Sequence, residues 1–212
     1  MSGVLIVSGT DTGIGKTVAA AGLAAALGAH YWKPIQAGTA DGTDSADAQR
    51  LGVPTAHVLP EAYRLALPAS PHLAAERESV MLDPARLALP SQRPLIVEGA
   101  GGLMVPIRRE PPWLMIDQFA QWRAPVLLVA RSGLGTINHS LLSIEALRSR
   151  GVTVAGLLFV GEAHTDNEAI VPLLGGVRSL GRLPVLDPLD AAGLADAMAQ
   201  HVDLEGLRAV LG

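Results

Sequence analysis

No cysteine occurs anywhere in the 212 residues. That excludes disulfides, thiolate zinc sites, Cys-ligated iron–sulfur clusters and a cysteine nucleophile. Aromatic residues make up only 3% of the chain, too few for an aromatic binding platform. No basic run is present and the net charge is −4, so electrostatics do not favour nucleic acid or an anionic membrane as a partner. The longest run of only apolar residues and glycine, Val18–Ala29, falls short of the ~20 residues a bilayer requires. No basic segment precedes the first apolar run, and Val4–Val7 is too short for a signal peptide. These absences point to a cytoplasmic enzyme that binds neither nucleic acid nor membrane.

The hydrophobic share is 49% and the charged share 17%, as in a folded chain. The length suits one domain, taken as residues 1–212. Short apolar runs recur at Val4–Val7, Pro94–Val97, Pro125–Ala130 and Thr153–Val160. They lack in/out alternation, which fits strands buried on both faces of a parallel sheet. Weaker strand candidates are His30–Lys33 and Leu183–Leu186. Helical patterns lie between them: Lys16–Leu27 ending at Gly28, Asp44–Leu51 with Asp44 as its capping residue, Leu114–Trp122, Thr136–Arg150 and Asp190–Gln200. The alternation predicts an α/β fold with a doubly wound, mostly parallel sheet and helices on both faces. Proline-rich Pro54–Pro94 reads as loops and short helices over one end of that sheet, and Pro106–Pro112 as a further loop.

The stretch GTDTGIGKT, Gly9–Thr17, follows the first strand and opens the first helix. Backbone N–H groups and the helix N-terminus converge there on a point suited to a phosphate. Lys16 has the reach for β- and γ-phosphates, and the Thr17 hydroxyl suits Mg²⁺. Thr10 occupies the slot where the usual phosphate-loop pattern has its first glycine, so the tight turn is expected one residue early, at Gly9. Asp11 stands where partition and septum-site ATPases carry a second lysine, which counts against that group. Glu98, in IVEGAGG, is expected at the C-terminal end of a buried strand, followed by a glycine turn. A carboxylate there can hold Mg²⁺, and ligands of open α/β sheets gather at those ends. A second carboxylate should come from Asp44 or Asp47, one turn apart on one helix face. Gln49, five residues after Asp44, favours Asp44. Pro34 keeps Lys33 extended at a strand end, where it could neutralise a transferring phosphoryl group. Considered alone, Lys33 is an ordinary solvated lysine.

Taken together, GTDTGIGKT, KPIQAG (Lys33–Gly38), TDS (Thr43–Ser45), SPH (Ser70–His72), VEGAGG (Val97–Gly102), LGTINHSLL (Leu134–Leu142) and GRLP (Gly181–Pro184) resemble the dethiobiotin synthetase family over nearly the whole chain. The resemblance implies a phosphate-loop NTPase-like fold and an ATP-dependent cyclo-ligase. Such enzymes carboxylate 7,8-diaminononanoate with CO2 and close a cyclic urea, by way of a carbamate and a carbamic–phosphoric anhydride. It further implies that Lys16 and Lys33 bracket the carbamate and γ-phosphate, and that Thr12 contacts the substrate. Nucleotide contacts would come from Gly13, Ile14, Gly15, Lys16, Thr17, Val18, Asp44, Glu98, Gly99, Ala100, Gly101 and Pro184. Thr17, Asp44 and Glu98 would hold Mg²⁺. A homodimer is implied, with the substrate carboxylate at the helix N-terminus near Gly135–His139 of the second subunit.

Two departures from the family pattern bear on specificity. Ala37 replaces a hydroxyl residue found four positions after the lysine in some relatives. Val160 and Gly161 stand where adenine-selective relatives carry an Asn-Asp pair, so strict ATP selectivity is not expected. Two other classes compete with this reading. An amidating synthetase of the corrinoid type needs an ammonia source, usually a glutaminase domain with a cysteine nucleophile, which this chain lacks. A partner-regulated phosphate-loop ATPase switch is opposed by Asp11 and by KPIQAG.

Overall fold

The computed structural model describes residues 3–40 and 42–212. Its strands are β1 (Val4–Gly9), β2 (His30–Trp32), β3 (Ile35–Ala37), β4 (Val58–Leu59), β5 (Tyr63–Leu65), β6 (Leu95–Gly102), β7 (Pro106–Arg108), β8 (Trp113–Leu114), β9 (Val126–Arg131), β10 (Val154–Val160) and β11 (Ser179–Leu183). Its α-helices are α1 (Lys16–Leu27), α2 (Asp44–Arg50), α3 (Pro71–Arg77), α4 (Met115–Trp122), α5 (Thr136–Ser149), α6 (Thr165–Gly175), α7 (Ala191–His201) and α8 (Leu204–Leu211). Seven strands form one sheet in the order β11-β10-β9-β1-β6-β2-β4. Every pairing in it is parallel. The central strand β1 is buried at all six positions, which explains why its sequence shows no alternation.

Side chains of successive strand residues point to opposite faces. Leu5, Val7, Tyr31, Ile96, Leu127 and Leu158 pack on one face beneath α1, α7 and α8. Val4, Ile6, Trp32, Val97 and Val126 pack on the other with Met115, Phe119 and Trp122 of α4. The same face continues under α5 and α6 through Leu128, Phe159, Ile144 and Val171. Alanine gives α1 high helix propensity and lets it lie close to the sheet. Residues Ala19–Ala24 of α1 are buried, and at Gly22 an added Cβ would meet the Met198 side chain of α7 at 2.9 Å.

Several sequence readings need correction. The last strand ends at Leu183 rather than beginning there; its residues Gly181 and Arg182 lack the apolar run that marked the others. Thr43, not Asp44, caps α2: its side chain accepts from the Ala46 N–H, and Asp44 is the first helical residue. Pro54–Pro94 does contain α3, but also β4, which adds to the sheet edge, and β5, which pairs in parallel with β3. Pro106–Pro112 contains β7, paired antiparallel with β8. Helices α6 and α8 have no counterpart in the sequence reading. Pro172 inside α6 hid the first, and α8 spans only Leu204–Leu211 at the chain's end.

Candidate active site

Strand β1 delivers the chain to the phosphate loop, and the loop begins α1. The loop's tightness is set at Gly9, in a way the sequence did not indicate. Gly9 is the last residue of β1 and makes no turn. A Cβ there would lie 2.6 Å from Ile14 Cδ1 and 3.0 Å from Lys16 Cδ, so the loop folds directly over a missing side chain. Gly15 caps α1 in the left-handed conformation and, as glycine, brings no side chain of its own to the helix N–H groups. Those donors are therefore open to an anion.

Glu98 comes from β6, beside β1. It is a mid-strand residue: GAGG continues β6 to Gly102 instead of turning. Its carboxylate is 1% exposed and gathers three donors. Lys33 Nζ lies 2.7 Å from Oε1, the Thr17 hydroxyl donates to Oε1 at 2.9 Å, and the Tyr31 hydroxyl donates to Oε2 at 2.7 Å. Lys33 stands just past β2, where Pro34 ends the strand, and its ammonium also meets Asp44 Oδ2 at 2.8 Å and the Gly99 carbonyl at 3.2 Å. Burial alone would lower the Lys33 pKa. The Glu98 and then Asp44 carboxylates outweigh it and hold Lys33 above the usual lysine range. Lys16 is shifted the other way. Burial and then the neighbouring Lys33 charge lower it, against the pull of Glu98, Asp44 and Asp11. Its ammonium donates to the Asp11 carbonyl at 2.9 Å. Burial first, then Glu98, pushes the Tyr31 phenol well above its usual range, which keeps it a donor.

One cavity of about 750 Å³ joins these groups. Thr12, Gly13, Gly15, Lys16, Thr17, Val18, Lys33, Asp44, Glu98, Ala100 and Gly101 all line it. Three other sequence candidates do not. Ile14 is 6% exposed and packs into the core under α1. Gly99 reaches the site only through its carbonyl. Pro184 lies just beyond β11, outside the cavity. The two aspartates differ in their partners. Asp47 borders the cavity, but its carboxylate pairs with Arg50 at 3.1 Å on the surface, while Asp44 meets Lys33.

Two contributors escaped the sequence reading. Gln36, in β3 and 5% exposed, accepts the Asp44 N–H at 2.9 Å and so ties the start of α2 to the site. It lies within KPIQAG, where a buried amide beside a lysine was a usable signal. Tyr31 had no such signal, since an aromatic in a buried strand reads as core.

Chemically, the cavity brings together the Lys16 and Lys33 ammonium groups, the Asp44 and Glu98 carboxylates, the Thr17 hydroxyl and the N-terminus of α1. Thr17, Asp44 and Glu98 are oxygen donors of the kind Mg²⁺ takes. Among the described residues no group of three or more His, Asp or Glu side chains is placed to hold a metal alone. Mg²⁺ characteristically completes its shell with water and phosphate oxygens, so this donor set fits it.

At the other side of the sheet, the ends of β10 and β11 are self-contained. The Gly161 N–H donates to the Leu183 carbonyl at 3.1 Å, and Arg182 donates to the Gly161 carbonyl at 3.0 Å. The Ser132 N–H donates to the Val160 carbonyl at 3.2 Å. Gly161 has φ +130°, and an added Cβ would sit 2.7 Å from the Ser132 hydroxyl oxygen. Helix α5 begins nearby at Gly135, left-handed and without a side-chain cap. Asn138 and His139 on its first turn are exposed. Leu134, just before it, is 99% exposed.

A family model described as an AAA domain matches residues 3–193. The chain is 58% identical over 201 residues to the ATP-dependent dethiobiotin synthetase BioD of Novosphingobium aromaticivorans, covering 94% of this chain and 97% of that one. It is 52% identical over 206 residues to the protein of the same name from Brucella anthropi, covering 96% of each. Among solved structures, apo McdA of Cyanthece superposes with a TM-score of 0.56 at 14% identity, over 99% of both chains. The cell division ATPase MinD of Pyrococcus furiosus gives 0.58 at 16% identity, over 100% of this chain and 96% of that one. At such low identity these structures establish the phosphate-loop NTPase-like α/β fold alone. Among the described residues no helix is long and apolar enough to cross a membrane.

Proposed function

The chain belongs to the family of ATP-dependent dethiobiotin synthetases, and we propose that it closes the cyclic urea of dethiobiotin from 7,8-diaminononanoate, CO2 and ATP. One observation carries this reading to the residues. Lys16 and Lys33 face one cavity from the phosphate loop and from β2, with Asp44 and Glu98 beside them.

One amine of the substrate adds to CO2 and loses a proton, giving a carbamate. A carbamate oxygen attacks the γ-phosphorus, and the bond to the ADP oxygen breaks. The second amine then attacks the carbonyl carbon of the mixed anhydride, and phosphate leaves with its bonding pair as the ring closes. No protein nucleophile is required, only placement and charge neutralisation. Lys33 and Lys16 neutralise the carbamate and the transferring phosphoryl group from opposite sides. Thr12 contacts the substrate at the cavity mouth. The loop from Gly13 to Val18 holds the phosphates, and Gly99, Ala100 and Gly101 bring backbone against substrate and nucleotide. Thr17, Asp44 and Glu98 would hold Mg²⁺, which supplies charge neutralisation to the phosphates when bound.

The substrate carboxylate would rest at the N-terminus of α5, near Gly135–His139, contributed by the second subunit of a homodimer. The uncapped Gly135 and the exposed Leu134, Leu142, Leu173 and Leu174 around α5 and α6 support that reading. Pro184 borders the nucleotide's base. Because the polar groups at the ends of β10 and β11 are bonded to one another, little is left there to read that base.

The test is phosphate release from Mg·ATP and bicarbonate, with and without 7,8-diaminononanoate. Diamine-dependent release with formation of the cyclic urea is expected. Release indifferent to the diamine would remove the carboxylation reading.

A further inference from the structure

Tyr31 is one of the largest fully buried side chains, at 0% exposure, and packs beneath α1. A phenylalanine would fill the same volume. What the tyrosine adds is one hydroxyl, and that hydroxyl donates to Glu98 Oε2 at 2.7 Å. The sheet explains how it gets there. Strands β2 and β6 are parallel neighbours with Tyr31 beside Ile96. Alternation puts Tyr31 on the face of β2 that matches Ile96 and Glu98 on β6, and Lys33 follows just past the end of β2. Tyr31 therefore approaches the Glu98 carboxylate from the core side, and Lys33 from the cavity side.

The two carboxylate oxygens are thereby divided. Oε1 takes the Lys33 ammonium and the Thr17 hydroxyl, the two groups that line the cavity. Oε2 takes Tyr31, which does not line it. We infer that Tyr31 is a positioning residue: its hydroxyl pins Glu98 Oε2 so that Oε1 alone faces the phosphates and the cation they bring. The inference rests on the assignment of Glu98 to the metal. A carboxylate held by one oxygen does not rotate to exchange its oxygens or chelate with both. Partners of this outer kind typically govern about 10–100-fold in metal affinity.

The experiment is calorimetric binding of ADP, in excess Mg²⁺ and in EDTA, to wild type, Tyr31→Phe, Glu98→Gln and the double variant. In wild type, Mg²⁺ should strengthen binding. In Tyr31→Phe that strengthening should shrink by about tenfold or more, with affinity in EDTA unchanged. In the Glu98→Gln background the same substitution should change nothing further, because Tyr31 acts through Glu98. A purely packing role would lower affinity in EDTA as well, or would add to Glu98→Gln, and either result overturns the inference. So does an undiminished Mg²⁺ effect in Tyr31→Phe. No Mg²⁺ effect in wild type would sink the metal assignment of Glu98 itself, a separate failure. If Tyr31→Phe does not fold, a wild-type crystal structure with Mg·ADP decides. Retention of the Tyr31–Oε2 bond supports the inference, and Oε2 turned onto the metal overturns it.

Discussion

Where the phosphate loop meets β2 and β6, charged side chains from separate parts of the chain converge. At the ends of β10 and β11, the polar groups are mostly backbone and are bonded to one another. The first region exposes chemistry to its ligand. The second closes on itself, and Gly161 leaves no room for a side chain. On the function proposed above, the contrast means that recognition is concentrated on the part of the nucleotide that reacts, with little left for the base.

The most severe way to break that contrast is at Lys33. Lys33→Ala should lower kcat by about 10²–10³-fold, the scale of removing one electrostatic group aimed at a reacting centre. Circular dichroism should show the fold intact, because Tyr31 and Thr17 still hold the Glu98 carboxylate. Wild-type turnover would take Lys33 out of the mechanism. Next comes Glu98→Gln, which should raise the Mg²⁺ concentration needed for half-maximal rate by at least about tenfold. An unchanged metal titration would contradict the assignment.

A change of nucleotide probes the other region. GTP and CTP should support rates within about tenfold of ATP, since a site without a polar reader discriminates weakly. Rates of only a few per cent would reveal a contact that reads the base elsewhere. The smallest effect is expected for Asp47→Asn. The Asp47–Arg50 pair is more than half exposed on both sides, and such pairs contribute about 0–1 kcal/mol. Steady-state kinetics should match wild type, whereas Asp44→Asn should not. Equal losses from the two would undo the distinction drawn between them.

Legibility in the sequence followed the same division. The buried parallel strands announced themselves as unbroken apolar runs, and Lys16–Leu27 was readable to its ends because alanine and a terminal glycine leave little ambiguity. Lys16, Thr17, Lys33, Asp44 and Glu98 were readable from motif, and the fold brings all five to one cavity. What stayed hidden depended on strand order. That Tyr31 reaches Glu98 follows only once β2 lies beside β6, and no local pattern states which strands are neighbours. The role of Gly9 was misread for a related reason. A turn is a local property, but the space Gly9 vacates matters only because Ile14 and Lys16 fold back over it. Strand β11 was displaced because glycine and arginine in Ser179–Leu183 break the apolar run that periodicity needs.

The margins of the main sheet have a consequence of their own. One margin is β4, only Val58 and Leu59 long. At the other, Gly181 of β11 is engaged in an antiparallel bridge to Val202. Long, flat, unpaired margins are where sheets of separate molecules join and grow into aggregates. Here one side is too short to template another strand and the other is partly occupied. Edge-to-edge joining of sheets between copies is thereby disfavoured at both margins.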